Sequence, residues 1–122
     1  MERYFTRSMK RFAYAIQGVG FLLRSEAVRP HLLATAMACA AGAALGLART
    51  EWLWITLAIV LVWSAEAFNT ALEELADAVH PEQHPAIGRA KDVAAGAVLI
   101  AATGAAVIGV LVFGPHLLRV GA

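Results

Sequence analysis

A single cysteine, Cys39, is the whole thiol inventory of this chain, which excludes an intrachain disulfide and any metal centre built on cysteine. Set in an apolar run, it is expected to be a small buried hydrophobe. Charge is also scarce. Asp, Glu, Lys and Arg make up 16% of the 122 residues against 60% hydrophobic, and the mean hydropathy is +0.66. Soluble domains sit nearer half apolar and about a quarter charged, so this balance points to a membrane protein. A net charge of +1 names no partner, and with no folded basic module beside it nucleic-acid binding is not expected. No cleavable signal peptide is expected, because the basic N-terminal stretch leads into mixed polar sequence rather than a short apolar core with a cleavage site. A Walker glycine-rich loop, internal repeats, low-complexity tracts and interdomain linkers are missing. One small membrane domain, with its apolar segments retained as anchors, is the expectation.

The charge that is present is unevenly placed. Arg3, Arg7, Lys10, Arg11, Arg24 and Arg29 all precede the first apolar run, the bias that marks a cytoplasmic end. Residues 3–25 have helical periodicity, with Phe5, Phe12, Ile16, Val19 and Leu23 within about 40° of one direction and Arg3, Arg7, Lys10 and Arg24 broadly opposite. That pattern predicts an amphipathic helix at the membrane interface. Residues 31–48 are just long enough for a first span, and Gly42 to Gly46 form a small-xxx-small pattern that permits close helix contact. Arg49-Thr50-Glu51 reads as a short polar turn, with Trp52 and Trp54 as interfacial anchors beyond it. A second span is predicted over 52–79, a loop at His80-Pro81-Glu82-Gln83-His84-Pro85, and a third span over 93–113, ended by Gly114-Pro115. Three crossings from a cytoplasmic N-terminus put the C-terminus outside.

Within the second span the sequence changes character without losing its helical pattern. The fourteen residues Trp52 to Ala65 carry no charge, and Glu66 follows directly. At roughly 100° per residue, Glu66, Asn69, Glu73 and Asp77 fall at about 0, 300, 340 and 20°. One helix face therefore carries three carboxylates and an amide. Carboxylates at the edge of hydrocarbon are costly and are usually paired, turned to a protein interior or kept for chemistry. Glu74 points elsewhere and is expected to be a solvated or interhelical charge.

Phosphoryl transfer to an alcohol needs a base at the hydroxyl, a divalent cation across the phosphates and positive charge for the transferring group. Glu66, deepest in the helix, suits the base. Glu73, two turns nearer the cytoplasm, suits Mg²⁺ as a hard oxygen ligand, and Glu26 supplies a second ligand if the chain folds back. Lys91 suits phosphate oxygens, with Asp92 orienting it or touching the nucleotide.

The stretch Glu66-Ala67-Phe68-Asn69-Thr70-Ala71-Leu72-Glu73, then Asp77, then Gly88-Arg89-Ala90-Lys91-Asp92-Val93-Ala94-Ala95-Gly96 closely resembles the prokaryotic diacylglycerol kinase and undecaprenol kinase family. The resemblance runs from Phe5-Thr6-Arg7 through Ser25-Glu26 to the third span. It implies an all-α integral membrane homotrimer with an interfacial helix and three membrane helices per subunit. It further implies active sites shared between chains, ATP and Mg²⁺ as co-substrate and cofactor, a lipid alcohol as acceptor, and the bacterial inner membrane as location. Carried over by resemblance, Glu66 matches the general base, Glu26 and Glu73 the metal carboxylates, and Lys91 and Asp92 the ATP phosphate contacts. Arg7, Tyr14, Glu82, Gln83 and His84 match nucleotide contacts, and Asn69 and Asp77 polar supports of the acidic helix. Asp77 read alone would cap or solvate the helix, and His84 would be an ordinary loop histidine. Arg29 and His31 read alone are interfacial anchors, and Trp63 packs against lipid or a neighbouring helix. Glu26-x-x-Arg29-x-His31 nonetheless resembles the undecaprenol kinase branch, and Leu32 stands where the diacylglycerol kinase branch carries an acid. A small proton-coupled transporter is the competing expectation, weakened by three spans rather than four and by acids gathered at one interface.

Overall fold

A computed structural model describes residues 1–121, and these form four α-helices. Helix α1 is Glu2–Arg24, a 3-10 turn follows at Glu26–Val28, and α2 is Arg29–Leu45. Helix α3 is Arg49–Val79 and α4 is Pro85–Val120. Three segments are long and apolar enough to cross a membrane: Glu26–Leu45, Arg49–Val79 and Pro85–Val120. At 1.5 Å per residue α3 and α4 extend roughly 47 and 54 Å, beyond the ~30 Å of hydrocarbon a span must cover. Both helices therefore project from the apolar layer.

Helices α3 and α4 form an antiparallel hairpin with α2 laid against α3. Few large side chains are buried. Leu47, Ile55 and Val112 make a small core, with Ala38, Trp52, Ile59, Ile108 and Phe113 packed on it. This core sits at the turn end of the molecule, where the α2–α3 turn meets the C-terminal part of α4. Elsewhere large apolar side chains such as Leu33, Leu53, Val93, Ile100 and Leu111 are exposed on every spanning helix. Helices apolar on all sides bury their surface in lipid rather than in a protein interior. Cys39, expected to be buried, is exposed on α2 for the same reason.

Several boundaries and contacts differ from the sequence reading. Helix α4 begins at Pro85 rather than near 93, because proline is well suited to a first helical position and the His84 Nδ1 accepts from the Ala86 N–H at 3.1 Å. It also continues through Pro115 to Val120. A missing N–H is tolerated in membrane helices where neighbours re-satisfy the backbone, and His116, the next residue, is tied to Glu51 of α3 at 3.0 Å. Gly46 makes no helix contact of the small-xxx-small kind. It ends α2 at φ +67, the left-handed conformation glycine adopts at helix C-termini. Gly42 does permit a close approach, but to Trp52 of α3: a Cβ there would lie 2.6 Å from the indole. Trp52, expected as an interfacial anchor, is therefore partly packed inside, whereas Trp54 is exposed.

Candidate active site

The acidic face of α3 divides in two. Glu66 and Asn69 are buried, at 5% and 9% exposure, while Glu73 and Asp77 are exposed. A buried carboxylate must be hydrogen-bonded or it destabilises the fold by several kcal/mol, and here both oxygens are held. His31 Nε2 lies 3.1 Å from Glu66 Oε2, and Thr70 Oγ1 donates to Glu66 Oε1 at 3.3 Å. The Asn69 Oδ1 beside them is buried without a partner.

Helix α2 brings His31 to this point by two ties to α3. Besides the His31–Glu66 contact, the Trp63 indole N–H donates to Thr35 Oγ1 at 2.9 Å. The Thr35 hydroxyl in turn donates to the His31 carbonyl at 2.7 Å. Residues four apart on α2 thus meet residues three apart on α3, in antiparallel order, on the adjacent faces that helical periodicity provides. His31 does not serve as a simple interfacial anchor here, and Trp63 meets the neighbouring helix α2 through a polar contact. Their polar atoms cross between helices, and no pattern within either helix signals that pairing.

Between α2, α3 and α4 runs an apolar cleft of about 320 Å³. Its lining includes His31 and Thr35, then Ala38, Ala58 and Ala105, and ends toward Phe113 at the turn end. His31 is thus shared between the cleft and the Glu66 carboxylate.

The second polar centre lies at the opposite end of the hairpin, the loop end, roughly 17 Å along α3 from Glu66 to Asp77. A pocket of about 620 Å³ is lined there by Asp77, His80, Glu82, Gln83, His84 and Lys91, among others. Lys91 of α4 is ion-paired with Asp77 of α3 across its base. Asp77 therefore anchors a lysine rather than capping its own helix. His80 folds the loop through Nδ1 to the Glu82 carbonyl at 2.9 Å, and His84 is spent on capping α4. Gln83 joins the lining.

Other residues singled out in the sequence lie apart from both centres in one chain. Arg7 lines a shallow depression of α1 with Glu2, Arg3, Tyr4 and Lys10, and Tyr14 is exposed. Asp92 is exposed and does not line the loop pocket. Glu26 is exposed and sits 3.7 Å from Arg29, a separation and setting in which an ion pair contributes little. Among the described residues no three His, Cys, Asp or Glu side chains converge on one point. Mg²⁺ characteristically takes one or two carboxylates and completes its shell with water and substrate phosphates, so exposed carboxylates such as Glu26 and Glu73 have fitting donor chemistry.

A buried, doubly held carboxylate next to an apolar cleft, with a lysine-bearing polar pocket further along the same helix, combines the environments a phosphate donor and an apolar alcohol require. Comparison with known proteins agrees. The sequence profile described as prokaryotic diacylglycerol kinase matches residues 13–113. The chain is also 38% identical to the undecaprenol kinase of Bacillus subtilis (strain 168) over 114 residues, 91% of each chain. With its three apolar helices, the chain belongs to the prokaryotic diacylglycerol kinase family and is a multi-pass membrane lipid kinase.

Proposed function

We propose that this kinase transfers the γ-phosphate of ATP to the hydroxyl of undecaprenol, with diacylglycerol as the second candidate acceptor. The observation that carries the chemistry is the buried Glu66 carboxylate, held on both oxygens beside an apolar cleft. The 38% identity to an undecaprenol kinase, together with the Glu26-x-x-Arg29-x-His31 arrangement and with Leu32 in place of an acid, favours the isoprenoid alcohol. Family membership leaves no role for the transporter reading.

In the reaction the lipid O–H gives its proton to the Glu66 carboxylate as the lipid oxygen bonds to the γ-phosphorus. The bond from that phosphorus to the β–γ bridging oxygen breaks, and ADP leaves with its electron pair. General-base help of this kind contributes about 10²–10⁴-fold. Lys91, oriented by Asp77, would meet the nucleotide phosphate oxygens from the loop end. Glu26 and Glu73 would hold Mg²⁺ with the nucleotide phosphates, and the ion supplies charge neutralisation there. Glu82, Gln83 and His84 border the nucleotide, and Asn69 supports the acidic helix.

Arg7, Tyr14, Glu26 and Asp92 lie apart from the loop pocket in one chain, which favours completion of the site by a neighbouring subunit in a homotrimer. The apolar side of α1 (Phe5, Phe12, Ile16, Val19) rests in the interface of the bacterial inner membrane, with the N-terminus cytoplasmic and the C-terminus outside.

The test is ATP-dependent phosphorylation by purified protein in mixed micelles, comparing undecaprenol with diacylglycerol. Undecaprenol is the faster acceptor, and Glu66→Gln removes transfer to both while the assembly is unchanged. Normal turnover by a folded Glu66→Gln variant would refute the base assignment, and faster transfer to diacylglycerol would reverse the substrate order.

A further inference from the structure

The reading of Glu66 as base leaves His31 without a function, although it is the group in direct contact with that carboxylate. Both partners are largely shielded, with side-chain exposures of 18% for His31 and 6% for Glu66. Imidazole has only two polar atoms. With Nε2 facing the carboxylate at 3.1 Å, an N–H on Nε2 satisfies Glu66 Oε2 whether the ring is neutral or charged.

We infer that His31 is the positioning residue of this kinase: its Nε2–H fixes the orientation of the Glu66 carboxylate at the polar end of the apolar cleft, so that the carboxylate meets the hydroxyl of a lipid whose tail occupies the cleft. Three observations carry this inference. First, the carboxylate is held from two sides, by His31 on Oε2 and Thr70 on Oε1, which fixes its plane. A carboxylate has about four lone-pair sites, so the two contacts leave capacity for an incoming alcohol. Second, the position of His31 is itself over-determined. Thr35, one turn on, is bonded both to the His31 carbonyl and to the Trp63 indole of α3. Sliding α2 along α3 would break both ties together. Third, His31 lines the cleft whereas Glu66 does not. An apolar molecule lying in the cleft therefore reaches Glu66 past the imidazole edge.

A merely structural histidine would hold α2 to α3 and affect the amount of folded protein. A positioning histidine affects the chemical step of folded protein, and misplacement of a reacting group by about 1 Å costs on the order of 10²-fold. The experiment measures kcat and KM for ATP and for lipid with wild type, His31→Ala, His31→Gln and Glu66→Gln in mixed micelles, with thermal unfolding of each. The Gln amide nitrogen reaches about as far as the imidazole Nε2 and can donate the same bond.

The expected result is that His31→Ala lowers kcat on the order of 10²-fold with KM for ATP unchanged, and that His31→Gln recovers most of that loss. Full turnover by His31→Ala beside an inactive Glu66→Gln overturns the role of His31 and leaves the base assignment standing. Full turnover by Glu66→Gln overturns the base assignment and this inference with it. If His31→Ala fails to fold, His31→Leu, which fills the space without a donor, takes its place: a folded His31→Leu with near-normal kcat overturns the role, as does a folded His31→Gln with kcat as low as Glu66→Gln, and a low kcat in His31→Leu restored in His31→Gln supports it.

Discussion

The two ends of the α3–α4 hairpin use the same kinds of residue for opposite purposes. At the turn end His116 lies 3.0 and 3.1 Å from the two oxygens of Glu51, and the Ala48 N–H donates to the same carboxylate at 2.7 Å. That carboxylate is engaged by the helix start it caps and by the helix it clasps, directly beside the Leu47–Ile55–Val112 core. Toward the loop end the Glu66 carboxylate is more deeply shielded than that of Glu51, yet the His31–Glu66 pair adjoins a cleft and an orphaned Asn69 oxygen. The Lys91–Asp77 pair beyond it opens into a pocket. A histidine–carboxylate contact therefore does not by itself mark a reacting group. The unfilled space and unused hydrogen-bonding capacity around Glu66 are what support its proposed role as the base. The packed Leu47–Ile55–Val112 cluster lies at the turn end, and the residues proposed for chemistry lie toward the loop.

The largest expected effect that sharpens this contrast is at Lys91. Lys91→Met removes the cation facing the loop pocket and leaves the turn-end core untouched, so kcat/KM for ATP should fall on the order of 10²-fold with little change in thermal unfolding. Asp77→Asn keeps the lysine but loosens it, and a smaller loss in the same parameter is expected. Steady-state kinetics with ATP varied at saturating lipid checks both. A Lys91→Met protein that unfolds early but turns over normally would reverse the assignment of the two ends.

At the turn end the corresponding change is Gly42→Ala. The added Cβ would lie 2.6 and 2.9 Å from the Trp52 ring and 3.0 Å from Leu47, and a rigid indole packed on the core gives way only by displacing its neighbours. Overpacking of this kind costs about 1–3 kcal/mol, read as a lower unfolding temperature in detergent with turnover per folded molecule unchanged. Gly88→Ala at the loop end, where a Cβ meets nothing within 4 Å, should leave unfolding unaltered and serves as the control.

Much of this division was legible in the sequence because it repeats within a helix. The spacing of Glu66, Asn69, Glu73 and Asp77 gives their common face without reference to any other segment, and the apolar runs mark three spanning helices. What the spacing leaves open is which part of that face is buried, since burial of Glu66 and Asn69 depends on α2 crossing beside them. His31–Glu66 and Glu51–His116 join residues 35 and 65 positions apart, and nothing local to either histidine signals its partner. Pro115 misleads for a related reason. The rule that proline ends a helix reflects a lost backbone bond and a clash, and here tertiary contact and the membrane setting outweigh it. Gly46 shows the reverse: its spacing from Gly42 suggests helix packing, while its positive φ makes it the residue that stops the helix.

Glu26 and Arg29, at the α1–α2 junction, provide the finest division, because their 3.7 Å contact has two readings with different consequences. If it is a surface ion pair, both side chains are too exposed for it to contribute much, since such pairs are worth about 0–1 kcal/mol. Either Glu26→Gln or Arg29→Gln would then leave unfolding and activity alike unaltered. If Glu26 is instead a ligand that Arg29 merely neighbours, the two variants part company. Loss of one of the two carboxylates proposed for Mg²⁺ weakens the ion's hold, so Glu26→Gln should raise the Mg²⁺ concentration for half-maximal activity several-fold, on the order of 1 kcal/mol in binding. Arg29→Gln removes a nearby positive charge and should leave that midpoint unchanged or slightly lowered. Titrating activity with Mg²⁺ at fixed ATP distinguishes these cases: parallel curves for the two variants would assign Glu26 to the surface and leave Glu73 as the sole carboxylate proposed for the metal.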